Sequence, residues 1–241
     1  MQEMFADKIL MKATKAYVGK RINLVIGAVP RPSSPVLFSA NHPTTLDPLL
    51  LQYALKLSYS SLLTEVAFSF PLVGGVLKAA RHVPVGKRGT GGKPLIDTVA
   101  AIAQSGRPLA IFPEGCLCPG PGLAPLRSGA VRIAATARVA VVPVGIAVSR
   151  SGTREISMRF GDTLQTGRYL LRGWYVIRLG KPIHFDISPD DHQAVTECTA
   201  RLALTMGQLM IEANNLLALL EGRETPAVAD CFGPHCGYAI S

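Results

Sequence analysis

Val36-Leu37-Phe38-Ser39-Ala40-Asn41-His42-Pro43-Thr44-Thr45-Leu46-Asp47-Pro48 is the stretch from which the rest of the chain can be read. A short apolar run bounded by turn residues predicts a strand buried on both faces over 36–40. His42 follows its carboxyl end, where open α/β sheets place their ligands. Asp47 directly before Pro48 matches an N-cap with proline at N1, opening a helix over 48–57. Two readings of the pair stand side by side. In one, Asp47 is only a helix cap and His42 a loop histidine. In the other, the tight turn sets the carboxylate against one imidazole nitrogen, which fixes the tautomer. The second nitrogen is then free to take a proton from a hydroxyl.

The same alternation of strand and helix continues downstream. A buried strand over 109–112 ends in Pro113-Glu114-Gly115. An acid there does nothing for a core and is costly to desolvate unless paired. It is either a surface turn acid or an acceptor for the hydroxyls of a polyol substrate. Helices are expected over 94–105, closed by Gly106, and over 128–137. A β-branched run covers 139–144, and alternating strands cover 154–160 and 174–179. Ser188-Pro189-Asp190-Asp191 spells an N-cap with proline at N1 and acids in the first turn. The helix behind it carries Val195, Leu202, Met206, Leu209, Ala213, Leu216 and Leu220 as a core stripe. The expectation is a single α/β domain with a mixed, mostly parallel central sheet flanked by helices. Its parts are an amphipathic helix in 1–20, a domain over 21–221 and a loose tail over 222–241.

Composition narrows the function. The 241 residues suit one domain by the prior of roughly 150 per domain, and 48% apolar with 17% charged excludes a disordered chain or a coiled coil. The longest apolar stretches, 66–77 and 139–148, fall short of the about 20 residues that a spanning helix needs. Glu3, Asp7 and Lys8 interrupt any signal-peptide core, so a location on the cytosolic side is expected. The net charge of +9 calls for an anionic partner: nucleic acid, an anionic bilayer or a phosphorylated small molecule. Few aromatics argue against nucleic acid, and a mean hydropathy of +0.28 favours lipid. The helix predicted over 4–17 fits this, because Phe5, Ile9, Ala13, Ala16 and Tyr17 share a face beside Lys8, Lys12 and Lys15. That arrangement suits either an interfacial anchor or an edge helix with a solvated lysine side.

Four blocks now stand in order: Asn41-His42-x4-Asp47, Arg81-His82-Val83-Pro84-Val85-Gly86-Lys87-Arg88, Phe112-Pro113-Glu114-Gly115 and Val142-Pro143-Val144-Gly145. Together they resemble the glycerolipid acyltransferase family, whose typical member acylates 1-acylglycerol-3-phosphate. Arg127-Ser128-Gly129-Ala130 is similar to the family's basic residue before a Gly-Ala helix start. The resemblance implies a glycerol-3-phosphate acyltransferase-like fold and transfer of a fatty acyl chain from acyl-CoA or acyl-ACP to a lysolipid hydroxyl. It implies His42 as general base and Asp47 as its orienting partner. Arg88, with Lys87 and Arg127, would hold the acceptor's phosphate, and Glu114 and Gly115 would bind the glycerol acceptor. The thioester is a co-substrate; no cofactor or metal is implied. The implied setting is peripheral to the cytoplasmic face of an anionic membrane, with no nucleic-acid partner.

The match departs at one place. Family members continue after Glu-Gly with Thr-Arg, whereas this chain has Cys116 and Leu117. Losing a guanidinium that clamps phosphate is not conservative. Either the acceptor is a different lipid alcohol or amine, or Arg127 or Lys87 supplies the charge. A lipid-binding protein with little turnover is a further alternative, and a thiol nucleophile at Cys116 is another. Cys116-Leu117-Cys118 and Cys231-x4-Cys236 lack the paired spacing of zinc ligands. No Gly-x-Ser-x-Gly elbow occurs, and Gly89-Thr90-Gly91-Gly92-Lys93 lacks the first glycine and the Ser or Thr of a phosphate loop.

Overall fold

Strands in the centre of a parallel sheet are covered on both faces, and here β2 (Val36–Ala40), β5 (Leu109–Ile111) and β6 (Ala140–Val148) are buried at every residue. The computed structural model describes residues 2–27, 34–86, 92–118, 122–160 and 163–224. Its other elements are α1 (Gln2–Val18), β1 (Ile22–Ile26), α2 (Asp47–Leu55), β3 (Ser60–Thr64), α3 (Glu65–Ser69), α4 (Val73–Ala79), β4 (Val83–Val85) and α5 (Gly92–Gln104). There follow α6 (Gly129–Ala137), β7 (Thr153–Phe160), β8 (Thr163–Leu170), β9 (Gly173–Leu179) and α7 (His192–Leu220). Seven strands form one sheet in the order β1-β9-β6-β2-β5-β3-β4, and β7 and β8 form a separate hairpin. Every pairing in the large sheet is parallel except β6 with β9. The single α/β domain expected from the sequence is therefore present, with a mixed, mostly parallel sheet.

Helices cover both faces. Val99 and Ala103 of α5, Ile133 of α6 and Leu202 and Met206 of α7 pack on one side with Leu37 and Leu109. Leu50, Leu51 and Leu55 of α2 and Val18 of α1 pack on the other with Phe38 and Val142. Gly145 shows why the Val-Pro-Val-Gly block carries a glycine. A Cβ there would lie 2.3 Å from the Leu209 carbonyl carbon, so α7 rests its backbone directly on β6. Because β2 and β5 are neighbouring parallel strands, their carboxyl ends open at the same edge of the sheet. That places the segments beginning at Asn41 and Phe112 side by side.

Two local expectations are corrected. Ser188 does not cap α7. The segment Ser188 to Asp191 closes as a turn, and Asp191 is the N-cap, accepting from the Ala194 N–H at 3.0 Å. Asp47 does not cap α2 either: it stands inside the helix as its first residue, and Leu46 takes the N-cap position. The short elements β3, α3, α4 and β4 carry too few residues for a readable period.

The helix α1 packs through Ala6, Leu10, Thr14 and Val18, with Tyr17 of the face singled out in the sequence half-buried beside them. Asp7, also buried, explains the choice. Its carboxylate receives two nitrogens of Arg107, at 2.9 and 3.1 Å. Arg107 also donates to Glu3 Oε1, Ser60 Oγ and the carbonyls of Tyr59 and Ala80. A buried guanidinium needs its donors satisfied, and this network clasps α1 to the sheet. Phe5, Ile9, Ala13 and Ala16, with Lys8, Lys12 and Lys15, remain exposed.

Candidate active site

His42 and Asp47 meet. The Nδ1 atom of His42 lies 2.8 Å from Asp47 Oδ2. Asp47 is 0% exposed, and a buried carboxylate is tolerable only when well paired. Its Oδ2 also accepts the Thr44 N–H at 2.7 Å, and Oδ1 accepts the hydroxyls of Thr44 at 2.5 Å and Tyr175 at 3.0 Å. Four donors therefore converge on one carboxylate and fix its orientation. The same carboxylate raises the Tyr175 hydroxyl, although burial is the larger cause. Phe112 packs its ring 4.5 Å from the imidazole and limits the ring's rotation. With Nδ1 engaged, Nε2 is the ring nitrogen available to take a proton from a reacting hydroxyl.

Glu114 is 2% exposed, and each of its oxygens accepts a backbone N–H. Oε1 accepts the His42 N–H and Oε2 the Ala124 N–H, each at 2.8 Å. Burial pushes its carboxyl above the ordinary range, while these two amide bonds pull the other way. The sequence leaves this acid either on a surface turn or as an acceptor for substrate hydroxyls; the structure buries it, and it ties the His42 segment to the chain at Ala124. The Cys118 N–H adds a second tie by donating to the His42 carbonyl at 3.0 Å. Asn41 completes the frame: its amide exchanges two hydrogen bonds with the backbone of Ile146, extending the β2–β6 ladder by one side chain.

Gly115 stands at φ +66° and closes the turn through its N–H to the Phe112 carbonyl. A Cβ there would lie 2.5 Å from Arg127 Cζ, so glycine is what lets the guanidinium cross the turn. Gly115, Cys116 and Arg127 border a cavity of about 860 Å³ that also contains His42 in its wall. Leu46, Leu63, Phe70, Ile111 and Ile133 make the lining largely apolar. Val85 and Gly86 line it too, whereas Lys87 and Arg88, the expected phosphate ligands, lie outside the described residues. The β7–β8 hairpin closes one side with Gln165 and Tyr169. It is docked on the His42–Asp47 loop, where Thr45 bonds Arg168 through both backbone and hydroxyl.

The sequence reading missed Thr44, Tyr175 and Arg107. Thr44 lies within the quoted motif and Tyr175 within an expected strand, but neither has a partner visible in one dimension. Among the described residues, no cluster of three His, Cys, Asp or Glu side chains is placed to hold a metal ion. No helix among them is long and apolar enough to cross a membrane.

A histidine–carboxylate pair thus stands at the carboxyl edge of a mostly parallel sheet and opens on a largely apolar cavity. A family model for acyltransferases matches residues 22–147, more than half of the chain, and the chain belongs to the acyltransferase family. It is an acyltransferase, as the four sequence blocks implied. No curated protein matches the chain. Its fold is similar to the crystal structure of the 1-acyl-sn-glycerophosphate (LPA) acyltransferase PlsC from Thermotoga maritima, with a TM-score of 0.61 and 15% identity. That likeness covers 93% of this chain and 81% of PlsC.

Proposed function

We propose that this enzyme transfers a fatty acyl chain from acyl-CoA or acyl-ACP to the hydroxyl of a lysophospholipid or acylglycerol phosphate. The observation that carries the reading is the His42–Asp47 pair in the wall of a large apolar cavity. His42 Nε2 takes the proton from the acceptor hydroxyl as its oxygen attacks the thioester carbonyl. Asp47 stabilises the imidazolium that forms. The C–S bond then breaks, and the thiolate leaves and receives the proton from the imidazolium. The apolar lining suits an acyl chain, and the activity of PlsC on 1-acyl-sn-glycerophosphate supports a lysolipid acceptor. Arg127 at the rim is the group that would meet a phosphate. Membrane association is supported by the exposed apolar and lysine face of α1.

The experiment is purified protein with labelled acyl-CoA and a panel of lysolipids, read by mass spectrometry. Acylated lipid and free thiol are expected, with the rate in His42→Ala lower by roughly 10²- to 10⁴-fold or more. Undiminished turnover in that variant overturns the mechanism.

A second reading concerns the acceptor. Leu117 lines the cavity at the position where the family resemblance implies arginine, and Arg127 is the single guanidinium among the described lining residues. An uncharged lipid alcohol or an amine is therefore the alternative acceptor to a phosphate monoester. Within the same panel, preference for a neutral lysolipid supports it.

A further inference from the structure

Leu72 is 90% exposed, the highest value among the large apolar side chains of the described residues, and its backbone stands at φ +67°, ψ −46°. The Val73 N–H donates to the Pro71 carbonyl at 2.7 Å, so Leu72 forms the apex of a γ-turn of the rare positive-φ form. A β-carbon in that region is strained, and strain of this kind persists only where the surroundings impose it. They do so here. Gly74 lies so close to α3 that a Cβ would sit 2.0 Å from the Phe68 carbonyl oxygen. The Gly74 and Val76 N–H groups then bond the carbonyls of Phe70 and Leu72. A rigid, strained turn therefore holds a leucine out into solvent.

The position of the turn gives this exposure a use. Phe70 and Val73, on either side of the apex, are in the wall of the cavity that holds His42. The helix α4 that follows packs on α1 through Ala6, Leu10, Leu77 and Ala80. The acids of α1 are consumed inside: Asp7 is buried on Arg107, and Glu3 bridges to Arg107 and Arg81. Its lysines 8, 12 and 15 all remain exposed, with Met4 and Phe5 beside them. No acid occurs between Glu65 and Asp97. The surface formed by α1 and α4 therefore shows apolar side chains among cations, which is complementary to an anionic bilayer.

We infer that Pro71-Leu72-Val73 is a knuckle that inserts into the acyl region of an anionic membrane beside the cavity mouth. Lipid chains then pass between bilayer and cavity without crossing water. The inference rests on the membrane-associated reading above and adds to α1 a second point of insertion.

The test uses the full chain with its single tryptophan removed as Trp174→Phe. Tryptophan is then placed at Leu72→Trp or, as a control on the opposite helical layer, at Leu204→Trp. On vesicles of phosphatidylglycerol and phosphatidylcholine with brominated acyl chains, the Leu72→Trp emission is expected to shift to the blue and be quenched. That of Leu204→Trp is expected to stay unchanged. A protein that sediments with vesicles while the residue-72 emission is unmoved overturns the knuckle and leaves α1 as the docking element. Failure to sediment overturns both, while acyl transfer to a lysolipid in detergent micelles reports on the chemistry separately. A second variant, Leu72→Gly, relieves the positive φ and keeps the turn. It is expected to lower vesicle partition about tenfold without lowering Tm. Undiminished partition in this variant counts against insertion.

Discussion

The Tyr175 hydroxyl donates to Asp47 Oδ1 across 3.0 Å, joining β9 to the first turn of α2 over 128 positions of sequence. The contact makes the antiparallel strand part of the site, because Tyr175 pairs with Val148 at the carboxyl end of β6. Asp47 is thus oriented from two sides, by Thr44 within its own loop and by Tyr175 from the sheet.

Tyr175→Phe removes one of these donors and leaves the packing. A carboxylate with fewer hydrogen bonds binds the imidazolium proton more strongly and holds its orientation less well. The expected outcome is a loss of about tenfold in kcat/KM, with the acidic limb of the pH–rate profile moved to higher pH. A purely structural tyrosine lowers Tm without moving that limb, so the two measurements together decide its role.

Glu114→Gln keeps the shape but replaces one acceptor with an NH₂ group, which then faces either the His42 or the Ala124 N–H. The penalty for a buried unpaired donor is about 1–3 kcal/mol, and denaturant titration is expected to show a loss of that order. Activity falls as well, because the His42 backbone loses a tether. A Glu114 acting only on substrate hydroxyls raises KM and leaves stability unchanged.

His82 is buried and accepts the Ser61 N–H at Nδ1. Burial first, and then the Arg107 charge, lower it from 6.5 to about 4. A base with a depressed folded value binds fewer protons in the native state than when unfolded. Its contribution is therefore intact above pH 6.5 and is lost as pH falls toward 4. Over that window the loss is about 3 kcal/mol. His82→Gln is expected to flatten the dependence of Tm on pH between those limits, measured against wild type.

Arg107→Met leaves the Asp7 carboxylate buried without its partner. Breaking a buried pair from one side costs about 3–5 kcal/mol. The expected result is a lower Tm with early proteolytic cleavage within α1. Adding Asp7→Asn should recover part of the loss, because the stranded charge is removed.

Much of the domain was readable in one dimension, for reasons tied to particular segments. The continuous apolar runs at 36–40 and 109–111 announce strands covered on both faces, and the helical stripe from Val195 to Leu220 announces a long packed helix. The His42–Asp47 pair was legible because five residues of turn suffice to bring the two side chains together. The face through which α1 packs was not legible because Asp7 breaks its apolar pattern, and the Arg107 that pairs with it lies 100 residues away.

The sequence by itself determined the alternating strand-and-helix grammar and the local turn that pairs His42 with Asp47. These depend on backbone preferences and on contacts a few residues apart. Only the tertiary structure decided that Tyr175 completes the carboxylate's shell, that Glu114 serves the backbone and that Arg107 anchors α1. Such partners are chosen by the sheet's strand order, which brings distant segments to one edge and lets buried polar groups find one another there.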